Sequence, residues 1–302
     1  MKIIIDKRFY DIVCNSFPEI EFFKEIEECP EAEALIGEPN NFKPEILDKM
    51  PNLRWIQSFR AGYDTIDMEY MRKRKITFCN GKDIFSVPIA EDVVCKILMH
   101  NTNALKHIEN QKSHIWNQGI RRFELCGQTI GIIGTGSIAT EIAKRLQGFG
   151  VNVIGYKRNP VLTMAYFDEV FSGKKGLEYL MSSSDYIIIT VDLNKETYHM
   201  INRNNLKFMK ESASIINIAR GSIINQEDLT EALKNNTINY AGLDVYETEP
   251  VPENDQLWDM KNVYMTPHTS GIVKDNKSKW TKLISMNIQS FIDNEKMANV
   301  VK

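Results

Sequence analysis

Apolar positions along this chain fall into two alternating rhythms. Four short apolar runs, "KIIID" (2–6), "ALIG" (34–37), "LRWIQSF" (53–59) and "ITFCN" (76–80), have the length of buried strands. Segments 8–15, 44–50 and 67–75 between them read as helices. Strands that alternate with helices predict a parallel sheet covered on both faces. From Pro88 to about Asn110 the pattern becomes one long helix, with Ile89, Val93, Ile97 and Leu98 on a single face. A polar stretch, "NQKSHIWNQGIRRFELCGQ", then leads into a second series of strands: "TIGIIG", "VNVIGY", "YIIITV", "SIINIA", "YAGLDV" and "NVYMTP". The closing segment "KSKWTKLISMNIQSFIDN" is helical, with Trp280, Leu283, Ile284, Ile288 and Phe291 recurring at helical spacing. The pattern predicts an α/β protein with two parallel-sheet domains.

The first strand of the second series runs into Gly134-Thr135-Gly136-Ser137-Ile138-Ala139 and then into a helix whose apolar stripe is Ile138, Ile142 and Leu146. Gly148 and Gly150 mark its end, and a new strand follows at once. Strand, tight turn, helix and strand are the context a dinucleotide fingerprint requires. Gly134 permits the turn. Gly136 lets a pyrophosphate approach backbone amides at a helix N-terminus, where the helix dipole favours negative charge. The third position needs only a small residue, and Ala139 is one. An NAD enzyme places Asp or Glu roughly 20 residues on, to bond the ribose 2′-hydroxyl. Here the segment is "GYKRNP", which holds no acid, and Lys157 and Arg158 are suited to a 2′-phosphate. NADP(H) is therefore favoured over NAD(H).

Composition narrows the class. The 302 residues suffice for two domains, and 43% hydrophobic with 25% charged residues is ordinary for a soluble protein. A net charge of −3 offers nothing to nucleic acid. The densest basic cluster, Arg72 to Lys75, reads as a solvated helix end. Five cysteines without CxxC spacing point to a reducing compartment and away from a zinc site or a disulfide frame. "MKIIIDKRFYD" is no signal peptide, and no apolar run approaches the roughly 20 residues of a membrane helix. A cytoplasmic protein without membrane partners is expected. The chain closes at Lys302, so no appended regulatory domain is expected either.

Three later strands end in residues able to do chemistry. "SIINIARGS" delivers Arg220, "AGLDVYETEP" delivers Asp244 and Glu249, and "VYMTPHTSG" delivers His268. Ligands of open α/β sheets bind outside the carboxyl ends of strands, so these ends are expected to converge. His100, His107, His114 and His199 lie in polar or helical stretches and read as structural.

With "SFRAGYDTID" (58–67), "NGKDIFSVPIAED" (80–92), "GQTIGIIGTGSIATEIAKRL" (127–146), "INIARGSIINQEDL" (216–229), "AGLDVYETEP" (241–250) and "TPHTSG" (266–271), the chain resembles the D-isomer-specific 2-hydroxyacid dehydrogenases over essentially its whole length. The resemblance implies two Rossmann-like domains, the dinucleotide-binding one (99–274) inserted into a flavodoxin-like substrate domain (1–98 and 275–302). It also implies a homodimer. Arg220 would clamp the substrate carboxylate and polarise the keto oxygen. His268 would be the acid–base, and Glu249 would orient it and stabilise its imidazolium. Arg60, Ala61 and Gly62 match the loop that meets the substrate carboxylate, with Arg60 at a variable position. Ser137 and Ile138 match the pyrophosphate contact, Val191 and Thr197 the cofactor's path, and Ile218, Ala219 and Asp244 the nicotinamide side. No metal is implied. After "YIIITV" the family commonly has Pro-Leu-Thr, whereas this chain has Asp192-Leu193-Asn194, so Asp192 either repels a phosphate or points away. The expected reaction is reduction of a small 2-ketoacid such as glyoxylate, hydroxypyruvate or pyruvate to the D-2-hydroxyacid. The alternatives are an NAD-linked dehydrogenase of a larger acid, 3-phosphoglycerate included, and a nucleotide-sensing corepressor-like protein.

Overall fold

The structure is a computed structural model and describes residues 1–159 and 163–301. Pro160, the last residue of the "GYKRNP" segment, and Lys302 lie outside the described residues. The chain divides into two compact units, Met1–Phe85 with Val273–Lys302, and Ser86–Ile272.

In the first unit β1 (Lys2–Ile5), β2 (Glu21–Phe23), β3 (Ala34–Gly37), β4 (Trp55–Ser58) and β5 (Thr77–Cys79) form one parallel sheet in the order β2-β1-β3-β4-β5. This is the flavodoxin-like order. The apolar runs form strands because both faces are covered. Ile3 and Ile5 face one cluster with Trp55 and Phe59, and Ile4, Leu35 and Ile56 face another with Leu47 and Met71. Helices α1 (Tyr10–Ser16), α2 (Pro44–Leu47) and α3 (Met68–Lys73) belong to these layers. The basic run that ends α3 is not wholly solvated. The Arg74 guanidinium donates to the carbonyls of Leu47 (2.9 Å) and Met50 (2.7 Å), at and just past the end of α2.

The second unit opens with α4 (Ser86–Asn101) and α5 (Ala104–Lys112). The sequence predicts one continuous helix here. It breaks at Thr102–Asn103, where Asn103 takes a left-handed conformation (φ 54°) and its side chain turns to the Arg121 carbonyl. The remaining elements in chain order are β6 (Thr129–Ile133), α6 (Ser137–Leu146), β7 (Asn152–Tyr156), β8 (Glu169–Phe171), α7 (Gly173–Ser183), β9 (Tyr186–Ile189), α8 (Arg203–Leu206), β10 (Ser214–Asn217), α9 (Gln226–Lys234), β11 (Tyr240–Leu243) and β12 (Val263–Met265). The seven strands are parallel in the order β12-β11-β10-β9-β6-β7-β8. Strand order reverses beside β6, so the crevice of a doubly wound sheet opens at the carboxyl ends of β6 and β9. The sequence reading divides α4 at 98/99, but α4 stays whole in the second unit and packs along α6. Finally α10 (Lys277–Ile292) returns to the first unit, where Trp280, Leu283, Ile284 and Ile288 join the core of β1 and α1. Strands β2 and β8 escaped the pattern reading. Each is a short edge strand that opens on an exposed glutamate, Glu21 or Glu169, leaving two apolar residues, too few to show a period.

At the amino ends of β9, β10 and β11, the His100 ring stacks between Phe123 (5.6 Å) and Tyr240 (4.5 Å). Its Nδ1 lies 2.7 Å from the Tyr186 hydroxyl, and its Nε2 lies 2.9 Å from Asn239 Nδ2. The Tyr186 hydroxyl donates to Asn101, so its oxygen accepts from Nδ1–H, and Nε2 is left to accept from the amide. Both contacts suit neutral imidazole, and burial pushes the His100 pKa down from 6.5 to about 4. The unfolded chain therefore binds a proton between those values that the folded chain refuses. His100's contribution to stability is whole above about pH 6.5 and is lost as pH falls toward 4, by on the order of 3 kcal/mol at most. Urea unfolding across that range is expected to give a steeper loss of stability for wild type than for His100→Gln. Identical slopes would show that His100 titrates alike in both states.

Candidate active site

The glycine turn sits at the sheet's reversal. Gly134 has φ +100°, a region favourable only to glycine, and a Cβ there would lie 2.6 Å from Thr190 Oγ1 and 3.0 Å from Val191 Cγ1. The turn after β6 thus presses on the end of β9. Gly136 differs: nothing lies within 4 Å of where its Cβ would be, and it precedes α6 without any side-chain cap. The start of a ten-residue helix is thus roomy at Gly136 and carries no side-chain acceptor at its cap. Beside them Thr135 Oγ1 is buried and has no hydrogen-bond partner among the described residues. An uncapped helix start, a glycine with room and an orphaned hydroxyl fit a phosphate-bearing cofactor. Ala139 is fully buried, which explains the need for a small residue at that position.

Past β7, the Lys157 backbone N–H donates to the Phe171 carbonyl at 2.9 Å. The Arg158 guanidinium meets the Glu196 carboxylate at 3.0 Å, both side chains being mostly exposed, so the pair is weak and readily exchanged. After β9, Thr197 Oγ1 donates to the Asp192 carbonyl at 2.6 Å and accepts from the Asn194 amide at 2.8 Å. The segment that departs from Pro-Leu-Thr is thus closed by its own side chains, and Asp192 is exposed.

Beyond β10 the chain turns sharply. Buried Asn217 accepts from the Ala219 amide (3.1 Å) and donates to the Arg220 carbonyl (2.9 Å), pinning Ile218, Ala219 and Arg220. The Arg220 guanidinium donates to the Ala219 carbonyl at 2.6 Å. Gly221 follows because nothing larger fits: a Cβ would lie 1.8 Å from the Tyr246 carbonyl carbon and 2.4 Å from the Glu247 amide nitrogen. That contact sets the Arg220 turn directly against the segment that carries Glu249.

Glu249 and His268 meet. His268 Nδ1 lies 2.8 Å from Glu249 Oε2, while Glu249 Oε1 accepts from the Tyr246 amide at 3.0 Å. His268 has φ +54°, uncommon for a side-chain-bearing residue, and its amide donates to the Asp244 carbonyl at 2.8 Å. Asp244 is fully buried, and its carboxylate accepts from Thr266 Oγ1 (2.6 Å), the Thr269 amide (2.9 Å) and the Ser270 amide (3.0 Å). In this structure it is the anchor of the His268 turn. The Tyr246 hydroxyl ties the same turn down, within hydrogen-bond distance of the Leu243 (3.1 Å) and Thr266 (3.0 Å) carbonyls.

In the first unit Arg60, Ala61 and Gly62 follow β4. Arg60 Nε lies 3.2 Å from Glu38 Oε2, the Arg60 carbonyl accepts from the Gly81 amide (2.8 Å), and the Ala61 carbonyl accepts from Asn80 Nδ2 (2.6 Å). The structure brings together Arg220, Glu249 and His268 through contiguous loops, and Gly134 with Val191. Sequence reasoning missed the supports Asn217, Asn80 and Tyr246. Only Gly221, inside the "ARG" motif, carried a sequence signal of its close contact.

The family model for the NAD binding domain of D-isomer specific 2-hydroxyacid dehydrogenase matches residues 94–270. A glyoxylate reductase of Thermococcus gammatolerans is 34% identical over 83% of this chain and 77% of its own. One of Pyrococcus furiosus is 31% identical over 95% of this chain and 88% of its own. Among solved structures, a D-isomer specific 2-hydroxyacid dehydrogenase family protein from Aeromonas salmonicida is 28% identical, with a TM-score of 0.87, covering 100% of this chain and 98% of that one. The chain belongs to the D-isomer specific 2-hydroxyacid dehydrogenase family and is an NAD(P)-dependent oxidoreductase.

Proposed function

We propose that the chain reduces a small 2-ketoacid of the glyoxylate, hydroxypyruvate or pyruvate type to the D-2-hydroxyacid, preferring NADP(H). The observation that carries this reading is the 2.8 Å contact of His268 Nδ1 with Glu249, held against the Arg220 turn. The glyoxylate reductases among its relatives support the choice of acid. We also propose a cytoplasmic homodimer; among the described residues no helix is long and apolar enough to cross a membrane. The exposed Ile108, Ile115, Trp116 and Phe123, on and after α5, are apolar side chains that a partner subunit would cover in such a dimer.

The bound cofactor supplies the hydride, and the protein supplies binding, orientation and charge. The amides of Ser137 and Ile138 at the start of α6 would hold the pyrophosphate, with Val191, Thr197, Ile218 and Ala219 along the remainder. Arg220 presents a planar fork to the substrate carboxylate and polarises the keto oxygen, and the amides of Arg60, Ala61 and Gly62 add to carboxylate binding. Glu249 accepts from Nδ1–H of His268, which fixes the tautomer and leaves Nε2 to deliver its proton to the keto oxygen. The same carboxylate stabilises the imidazolium before transfer. In the oxidative direction Nε2 takes the proton back.

Loss of nicotinamide absorbance with a panel of 2-ketoacids, against NADPH and NADH separately, tests the reading. Turnover of at least one small acid is expected, faster with NADPH; tight nucleotide binding without turnover of any acid would sink it. His268→Ala is expected to lower kcat by roughly 10²–10⁴, the usual share of general acid–base catalysis. Near-normal kcat would mean that another group moves the proton. Lys157→Asp sets a carboxylate where a 2′-phosphate would lie, and the NADP/NAD ratio of kcat/KM is expected to fall by roughly tenfold or more. An unmoved ratio would remove Lys157 from cofactor choice.

A further inference from the structure

Lys96 is a charged residue without any exposed side-chain surface. It lies on α4 between the apolar positions Val93 and Ile97. Gly242 of β11 makes space for its stem: a Cβ there would stand 3.2 Å from both Cβ and Cδ of Lys96. The ammonium is paired with Asp92 one turn back, lies 5.4 Å from the centre of the Tyr264 ring, and donates to Thr266 Oγ1 at 3.0 Å. Burial raises the Asp92 pKa, and the ammonium beside it works the other way. Packing alone asks only for the methylene stem; an ammonium at this depth is costly unless it is fully partnered.

Donor chemistry shows what the charge does. An ammonium has three protons and accepts nothing, so Thr266 Oγ1 must accept from it. The hydroxyl's single proton is thereby left for Asp244 Oδ1, 2.6 Å away. Asp244 Oδ1 also accepts from the Thr269 amide and Oδ2 from the Ser270 amide, and the Asp244 carbonyl accepts from the amide of His268 itself. A fixed cation, one hydroxyl and one carboxylate thus run from the inside of α4 to both flanks of the left-handed His268.

We propose that Lys96 is a positioning residue for the reaction: its buried ammonium, acting through the Thr266 hydroxyl, locks the Asp244 carboxylate and with it the turn that presents His268. The proposal rests on the reading of His268 as the acid–base. Loosening the turn would leave binding groups on other loops in place while misaiming the proton. The signature is therefore a loss in kcat with little change in KM.

Steady-state kinetics with saturating NADPH and the fastest 2-ketoacid of the panel compare Lys96→Met, Thr266→Val and His268→Ala, singly and combined. Lys96→Met is expected to lower kcat roughly 10- to 100-fold while KM for the ketoacid moves by less than about twofold. Thr266→Val keeps both charges and the side-chain shape, removes only the hydroxyl, and is expected to lower kcat likewise. In the His268→Ala background neither substitution is expected to lower kcat further, because the group through which they act is gone. A folded Lys96→Met with wild-type kcat, or losses that multiply with that of His268→Ala, overturns the proposal. If Lys96→Met does not fold, Thr266→Val decides by the same criteria. Near-normal kcat in His268→Ala overturns the acid–base reading and the proposal together; a crippled His268→Ala beside unaffected Lys96 and Thr266 variants overturns the proposal alone.

Discussion

A carboxylate sealed from water must find its hydrogen bonds inside the protein, and Asp244 finds them almost entirely in one five-residue turn. Thr266, Thr269 and Ser270 are drawn to its two oxygens, and the turn between them takes the shape that those distances dictate. His268 sits at the centre of that turn in a left-handed conformation that an unsupported histidine would avoid. The strained residue is the one that meets Glu249, and the surrounding hydrogen bonds hold it there. Glu249 then needs only to reach Nδ1.

The second constraint is steric. Parallel strands deliver their carboxyl ends to one edge of a sheet, but neighbouring loops need not touch there. Here they do, because Gly221 lets the Arg220 turn press on the backbone at Tyr246–Glu247. Asn217 pins one side of that contact, and the Tyr246 amide and hydroxyl pin the other. The Arg220 guanidinium on one turn and the His268–Glu249 pair on the next are each held by hydrogen bonds from buried polar groups.

How legible this was depends on the kind of signal. Runs such as "ALIG" and "YIIITV" announced strands because a strand buried on both faces is apolar at every position. Strands β2 and β8 announced nothing, because each opens on an exposed glutamate, Glu21 or Glu169, and leaves only two apolar residues to mark it. The helix predicted across 88–110 is two helices, because the left-handed Asn103 answers to the distant Arg121 carbonyl, a contact that periodicity cannot see. Arg74, read as a solvated base, donates to carbonyls more than twenty residues away.

Local order and ordered motifs were enough for two α/β series, a glycine turn in a βαβ setting, and Arg220, Glu249 and His268 at successive strand ends, since strand, turn and helix are decided by residues within a few positions of one another. Tertiary structure alone decided what lies beneath them. Lys96 and Thr266 are 170 positions apart, and Lys96 stands in an apolar helix face where spacing would call for a leucine. Folding brings them to 3.0 Å because a buried ammonium needs partners and Gly242 leaves room for its stem. Side-chain type tells what a residue can donate or accept; only the packed interior says which of those bonds it is obliged to make.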